Sequence, residues 1–254
     1  MKTKEARACR GMTLIETLVV VAIIVALAAI AIPVVTSFQH RANRARAAEK
    51  LRSIGVAFAA YTIDNSDMLP WEDSPGTDDW QAVAAVENED VWYNALPRDM
   101  GFASGADLAA NPALFYENSY PLYLPGAPYP KSDKKLGKPY FAMGMNSRLQ
   151  RKNEAGEKVR GTLAQIQNPT QTVIFLERGM PADKKTSPGQ KNFSASPKAN
   201  PRAFVARYNG TGMLIFTDGH IEVHAVSELI TTAGLIPVPQ IDVIWTNDPD
   251  DDPN

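Results

Sequence analysis

The sequence predicts an α+β protein in which a long N-terminal α-helix packs on an antiparallel β-sheet head with large loops. Three observations lead to this prediction. A run of 18 apolar residues spans 18–35, a helical stripe of apolar residues continues to Tyr61, and the strand-like segments all follow residue 139. Of the 19 prolines, 18 lie after the apolar run, which favours a continuous helix followed by a loop-rich head.

The bulk composition is that of an ordinary globular protein. Of the 254 residues, 44% are hydrophobic and 21% are charged, and the formal net charge is -2, so a nucleic-acid partner is not implied. The single cysteine, Cys9, precedes the apolar run. The rest of the chain therefore has neither a disulfide framework nor a cysteine nucleophile.

The N-terminus has the length and charge pattern of a membrane segment behind a short leader. At about 1.5 Å per residue, the apolar run makes a helix of roughly 27 Å, close to the hydrocarbon thickness of a bilayer. The leader, residues 1–11, carries four basic residues and one acidic residue. A secretory signal would have a shorter apolar region with the cleavage site after it. We therefore expect a cut before the run, a transmembrane helix over 12–35, a stem helix over 36–63 and a head over 64–254.

Glu16 is the one charged residue at the start of the apolar region. A carboxylate facing lipid costs on the order of 2.5–3.5 kcal/mol at a helix centre, so it needs a partner. The apolar face of this helix carries no basic side chain, and an amine on a neighbouring subunit would neutralise the charge. A glutamate reaching the interface at the end of a plain signal anchor is the alternative.

The stretch GMTLIETLVVVAII resembles the type IV prepilin motif, in which a dedicated peptidase cuts after a glycine and methylates the new N-terminus. The resemblance implies cleavage after Gly11 and methylation of Met12. It also places Glu16 where the family has its invariant glutamate, an assembly residue that pairs with the terminal amine of a neighbour. Pro33 falls where related pilins often have a proline, and it favours a helix kink.

The resemblance also implies partners and a location. These are prepilin peptidase, other pilin or pseudopilin subunits, and an inner-membrane assembly platform with its ATPase. The chain would cross the inner membrane once, with the N-terminus cytoplasmic and the head periplasmic. Loss of the leader leaves 22 of 26 basic and 27 of 28 acidic residues, a charge of -5, so binding to nucleic acid is not favoured.

The stem after the membrane segment has one apolar face and one basic face. Leu51, Ile54, Phe58 and Tyr61 are spaced to lie on a sheet. A basic cluster includes Arg41, Arg44, Arg46, Lys50 and Arg52. A solvated face, lipid headgroups and neighbouring subunits all remain open as its role.

Four strand candidates follow in the head, beginning at Tyr140, Gln171, Gly212 and Ile241. In the third, Asp218–Gly219 lies between two apolar arms and predicts a hairpin with a two-residue loop. The polar, proline-rich stretch 181–201 is predicted to be the most mobile loop.

The head segments YTIDNSDMLP, GMNSRL, QNPTQTVIFLE and YNGTGMLIFTDGHIEV resemble large pseudopilin-like proteins, often compared with the major pseudopilin of type II secretion. Those proteins carry a histidine, nine residues and then Asp-Gly. Here Tyr208 occupies the histidine position ahead of Asp218 and Gly219. No role of that histidine can therefore be carried over to this chain. The predicted hairpin at Asp218–Gly219 does not depend on the histidine and is kept.

No catalytic motif is found, and metal sites are not favoured. His220 and His224 on one hairpin arm would lie roughly 13 Å apart, too far to share an ion. The tail acids Asp248, Asp250, Asp251 and Asp252 are ligands of the kind that calcium prefers. Calcium binding and a solvated acidic tail both remain open.

These features favour a structural fibre subunit that performs no catalysis. A pilus subunit of a DNA-uptake system belongs to the same class. Two other classes remain as alternatives: a membrane-anchored module that binds polysaccharide, and a tethered enzyme. The polysaccharide module would use the head aromatics Trp71, Trp80, Trp92, Tyr120, Tyr123 and Tyr129.

Overall fold

The structure is a computed structural model that describes residues 14–72 and 78–254. The chain separates after Ala42 into two compact units, each described by itself. The helices are α1 Leu14–Asp64, α2 Trp80–Val83, α3 Trp92–Asp99, α4 Gly105–Leu108, α5 Ser132–Gly137 and α6 Val226–Leu229. The strands are β1 Met143–Asn146, β2 Arg151–Lys152, β3 Lys158–Val159, β4 Val173–Glu177, β5 Lys198–Ala199, β6 Thr211–Phe216 and β7 Ile221–Ala225.

In the second unit, residues 43–254, the last turns of α1 form one wall of the core. Leu51, Ile54, Phe58 and Tyr61 are each at most 4% exposed, so the predicted apolar stripe is confirmed. The ring of Phe58 meets that of Phe175 on β4 edge to face, with centroids 5.9 Å apart. The apolar spacing along the helix therefore sets which face lies on the sheet.

The main sheet has five strands in the order β5-β1-β4-β6-β7. All pairs are antiparallel except β1 with β5, which run parallel with Met145 opposite Lys198. The α+β prediction is confirmed, but the sheet is mixed and not purely antiparallel. The reason is the long loop between β4 and β5, which returns the chain to the edge of β1 in the same direction.

The predicted hairpin joins β6 and β7, but its loop is one residue longer than expected. Phe216 N–H donates to the His220 carbonyl at 3.0 Å, and Gly219 N–H donates to the Phe216 carbonyl at 2.9 Å. The loop is therefore Thr217–Gly219, a three-residue loop that ends in a left-handed residue. Gly219 supplies that conformation with φ +88°.

The strand predicted from Ile241 is wrong. Residues 241–245 are all described, and among them only Ile244 forms a bridge, an isolated parallel pairing with Thr172, the residue before β4. Its N–H donates to Gln171 and its carbonyl accepts from Val173, whereas Trp245 N–H donates to the side chain of Gln240 at 2.7 Å. The next bond of a parallel ladder would need the Val173 carbonyl, which accepts instead from the side-chain amide of Asn146 at 2.8 Å, so the pairing is confined to one residue.

Two apolar cores lie on opposite faces of the sheet. The first contains the α1 stripe together with Met213 and Ile215, and the second contains Leu214, Phe216 and the C-terminal Trp245. Successive residues of β6 alternate between the two cores, as the pleat requires. The head therefore has three layers, with the sheet between the stem and the C-terminal segment.

The hairpin loop touches the stem at a glycine pair. A Cβ placed on Gly55 of α1 would lie 2.6 Å from the carbonyl oxygen of Gly219. We expect Gly55→Ala to lower the free energy of unfolding of the head by about 1–3 kcal/mol through overpacking. Without this clash, a glycine-to-alanine change within a helix would stabilise the head by roughly 0.5–1 kcal/mol. The sign of the measured change in stability therefore shows whether the close contact is present.

Urea unfolding of the full chain in detergent, followed by tryptophan fluorescence, measures this effect because all four tryptophans lie in the head. Gly137→Ala in α5 is the matched control, since a Cβ there meets nothing within 4 Å. A Gly55→Ala protein as stable as this control would contradict the close contact.

Candidate functional site

The first unit presents an apolar helix with exposed side chains. Leu18, Ile24 and Ile30 are 66%, 57% and 70% exposed. By length and composition, α1 is the one helix among the described residues that could cross a membrane. Helical structure continues through position 33, and the kink expected at Pro33 stays a prediction. The predicted cut at Gly11–Met12 lies outside the described residues.

Glu16 lies in the first turn of α1. A carboxylate there interacts favourably with the partial positive charge of the helix N-terminus. Its side chain is solvent-exposed and flanked by the apolar side chains of Ile15 and Leu18. The negative charge of Glu16 and the apolar side chains beside it are therefore exposed on the same part of α1. A surface for subunit assembly would require this.

Tyr208 is a buried anchor in the head, only 2% exposed. Its hydroxyl donates to the Pro125 carbonyl at 2.9 Å. Burial, together with the nearby Glu177 carboxylate, raises the pKa of this phenol, which keeps the hydroxyl protonated as a donor. Tyr208 and Asp218–Gly219 lie at opposite ends of β6, so the three motif residues do not form one site. The residue in the histidine position holds a loop.

Sequence reasoning missed a buried charge cluster beside Tyr208. Arg207 is paired with Asp183 at 2.7 Å and with Glu177 at 3.5 Å, and all three side chains are at most 7% exposed. Met213 N–H donates to the other oxygen of Glu177 at 2.9 Å. Burial raises the pKa of Glu177 to about 7, and the Arg207 charge only partly opposes that rise. One feature of the sequence could have indicated this cluster. Glu177 and Arg207 each end an apolar segment, which places a charged side chain next to buried residues.

The stretch 181–201, predicted to be mobile, is held by this part of the head. Arg178 donates to the Asn192 carbonyl at 2.8 Å and to Ser194 Oγ at 2.7 Å. Gln190 is 1% exposed and donates to the Phe204 carbonyl at 2.7 Å. Composition alone could not reveal these long-range bonds, which replace the missing regular structure.

The two hairpin histidines lie in a row of side chains with carboxylates. Glu222 bridges them, with its oxygens 3.3 Å from His220 Nε2 and 2.9 Å from His224 Nε2. Asp218 and Glu228 contact the outer ring nitrogens at 2.6 and 3.0 Å. No group of three or more histidine, cysteine or acidic side chains is arranged for a metal ion within 14–72 and 78–254.

The acidic tail is ordered around a glutamine. The Gln240 side-chain amide donates to the carbonyls of Pro249 and Asp251 at 3.3 and 3.1 Å. The side chains of Asp250, Asp251 and Asp252 are exposed. Calcium binding by Asp248 and these three residues stays a prediction.

The head aromatics are part of the core. Trp80, Trp92 and Tyr120 are at most 6% exposed, and Trp71, Tyr123 and Tyr129 pack against the same cluster. Their rings contact one another, as in the stacked pair Tyr123–Tyr129 at 4.9 Å. This arrangement does not favour the polysaccharide-binding alternative, which needs exposed rings.

Residues 6–32 match the family model of the prokaryotic N-terminal methylation motif. Neither a curated protein nor a solved structure matches the chain significantly. The motif implies processing by prepilin peptidase and assembly with other pilin subunits, and together with the apolar helix it indicates anchoring in a membrane by a single helix. The motif at residues 6–32 supports a precursor similar to type IV prepilins and pseudopilins.

Proposed function

We propose that this chain is a structural subunit of a type II secretion pseudopilus or of a type IV pilus-like fibre. The observation that carries the proposal is the methylation motif over residues 6–32, which extends into the exposed apolar part of α1. In this proposal, prepilin peptidase cuts after Gly11 and methylates Met12. The chain itself performs no catalysis.

In the assembled fibre, the apolar part of α1 would pack among the same helices of other subunits. Burial of its exposed leucine, isoleucine and valine side chains supplies the driving force once the subunit leaves the lipid. Before assembly, that helix holds the subunit in the inner membrane, with the N-terminus cytoplasmic and the head periplasmic. An assembly platform and its ATPase would supply the work of extrusion.

Pairing of Glu16 with the methylated amine of a neighbour would set the axial position of each incoming subunit. Two opposite charges attract strongly in a medium of low dielectric constant, and a mismatch of one helical turn would leave both buried without a partner. The pair therefore favours one register over its neighbours along the helix.

The intact mass of the membrane-extracted protein tests the proposal. We expect the mass of residues 12–254 with one methyl group in place of a hydrogen. A Gly11→Val precursor should remain uncut in the same cells, which provides the control for cleavage at this site. An uncut, unmethylated wild-type chain would refute the proposal and leave a plain signal anchor.

A further inference from the structure

A groove runs along the flank of the stem within residues 43–254. It has a volume of about 370 Å³. Arg46, Glu49 and Lys50 of α1 form one wall, and Met100, Phe102 and Pro121 lie on the other. The stem side of the groove is thus charged, whereas the head side is uncharged and combines these apolar residues with Asn118 and Ser119.

The charge at the groove is positive. Arg46 is exposed, and so are Arg44 and Arg52 nearby on α1. Within the described part of the chain, none of these three arginines makes an ion pair. Lys50 donates to the carbonyls of Asn118 and Tyr120 at 2.6 and 2.5 Å, which leaves its formal charge unbalanced. Glu49 is the one carboxylate among the residues that line the groove.

An acidic surface lies at the C-terminal turn, residues 248–254. Asp250, Asp251 and Asp252 are exposed there, and the carboxylates of Asp250 and Asp251 make no ion pair with any described residue. Gln240 fixes the backbone of this turn, and Asn254 accepts from Ile236 N–H at 2.7 Å. A fixed turn loses little conformational entropy when it binds, so its charges are presented ready for a partner.

The two surfaces belong to different sides of the sheet. The stem packs on the face that carries Met213 and Ile215, whereas the C-terminal segment packs on the face that carries Leu214 and Phe216. Contact between two different surfaces of identical chains is heterologous and generates an open array unless the rotation closes a ring.

We propose that the acidic C-terminal turn of one copy docks in the basic groove of the next copy. This inference rests on the proposed fibre function and names the head-to-head contact within it. Charge complementarity favours this occupant, because a symmetric contact would set groove against groove and oppose arginines of like sign. Phe102 and Pro121 would cover the apolar side of the contact.

Cysteine crosslinking between full-length copies in membranes tests the proposal. Two versions of the chain, both with Cys9→Ser, are co-expressed, one carrying Ser119→Cys beside the groove and the other Asp250→Cys. A short bismaleimide should join the two versions into a heterodimer, whereas Ser119→Cys in both copies should give none. Arg46→Glu should lower the yield about tenfold, and Asp251→Arg in the partner should restore it. Lys184→Glu, an equal charge change at an exposed site, should have no effect.

A second crosslink separates this inference from the proposed function. Ile24→Cys in the apolar helix reports stem packing alone. If the Ile24 crosslink forms and the groove-to-turn crosslink does not, docking is refuted and the fibre function stands. If neither forms, the fibre function fails. A groove-to-turn crosslink that is indifferent to Arg46→Glu would also overturn the inference, and so would binding of the groove to anionic vesicles without any crosslink.

Discussion

Replacing Glu16 by alanine should abolish incorporation into fibres while leaving insertion into the membrane intact or improved. The effects on assembly and on insertion have opposite signs. The carboxylate is unfavourable in lipid, and it stabilises the protein only when a neighbour supplies a positive charge. If pairing offsets a penalty of about 2.5–3.5 kcal/mol, its loss weakens subunit association by roughly a hundredfold. Crosslinked oligomers of the full chain, compared with the fraction recovered in membranes, measure both effects.

Glu16→Gln distinguishes charge from shape, because it keeps the size of the side chain and removes the negative charge. It should fail in assembly as alanine does. Glu87→Ala, which removes an exposed glutamate of the head, is the control and should assemble normally. Normal assembly of the glutamine variant would show that a hydrogen bond suffices at this position and would contradict a required ion pair with an amine.

Arg207→Met should be the most damaging single change in the head. It leaves Glu177 and Asp183 buried with no cation, and breaking a buried pair in this way costs about 3–5 kcal/mol. Urea unfolding followed by tryptophan fluorescence measures the loss. Arg98→Met is the matched control, because its pair with Glu89 at 3.0 Å is solvent-exposed and contributes about 0–1 kcal/mol. Equal losses in the two variants would show that the cluster contributes no more than a surface pair.

The loss of stability caused by Arg207→Met should be larger at high pH than at low pH. The pKa of Glu177 is about 7 in the folded head and near 4.5 when unfolded, so protonation favours the folded state, and this contribution is lost as the pH rises through 7. Without Arg207, the charge that lowers this pKa is gone, and the pKa rises further. Arg207→Met should therefore lose less stability at pH 5 than at pH 8.

Local pattern and motif predicted the parts of the fold that depend on neighbouring residues. The stripe at Leu51, Ile54 and Phe58 follows from helical spacing alone, and the hairpin follows from two apolar arms with Asp218–Gly219 between them. The extra loop residue was missed because two-residue and three-residue loops can share the same glycine signal, and only the pairing of Phe216 with His220 separates them.

Long-range side-chain bonds account for the other differences. Asn146 occupies the Val173 carbonyl that a strand at 241–245 would need for its next bond, and Arg178 holds a loop whose composition indicated mobility. The Glu177–Arg207–Asp183 cluster joins residues up to 30 positions apart, so spacing could not identify it. At the N-terminus the motif is contiguous, and for that reason the amino-acid sequence alone singles out Glu16.

The alternation of β6 between two cores affects how the head unfolds. Met213 and Ile215 belong to the layer beneath the stem, whereas Leu214 and Phe216 belong to the layer beneath the C-terminal segment. If either layer unfolds, it exposes one face of β6, and the other layer packs on the opposite face of the same strand. The two layers are therefore coupled into one cooperative unit, and a subunit pulled by its stem would resist the load with both layers at once.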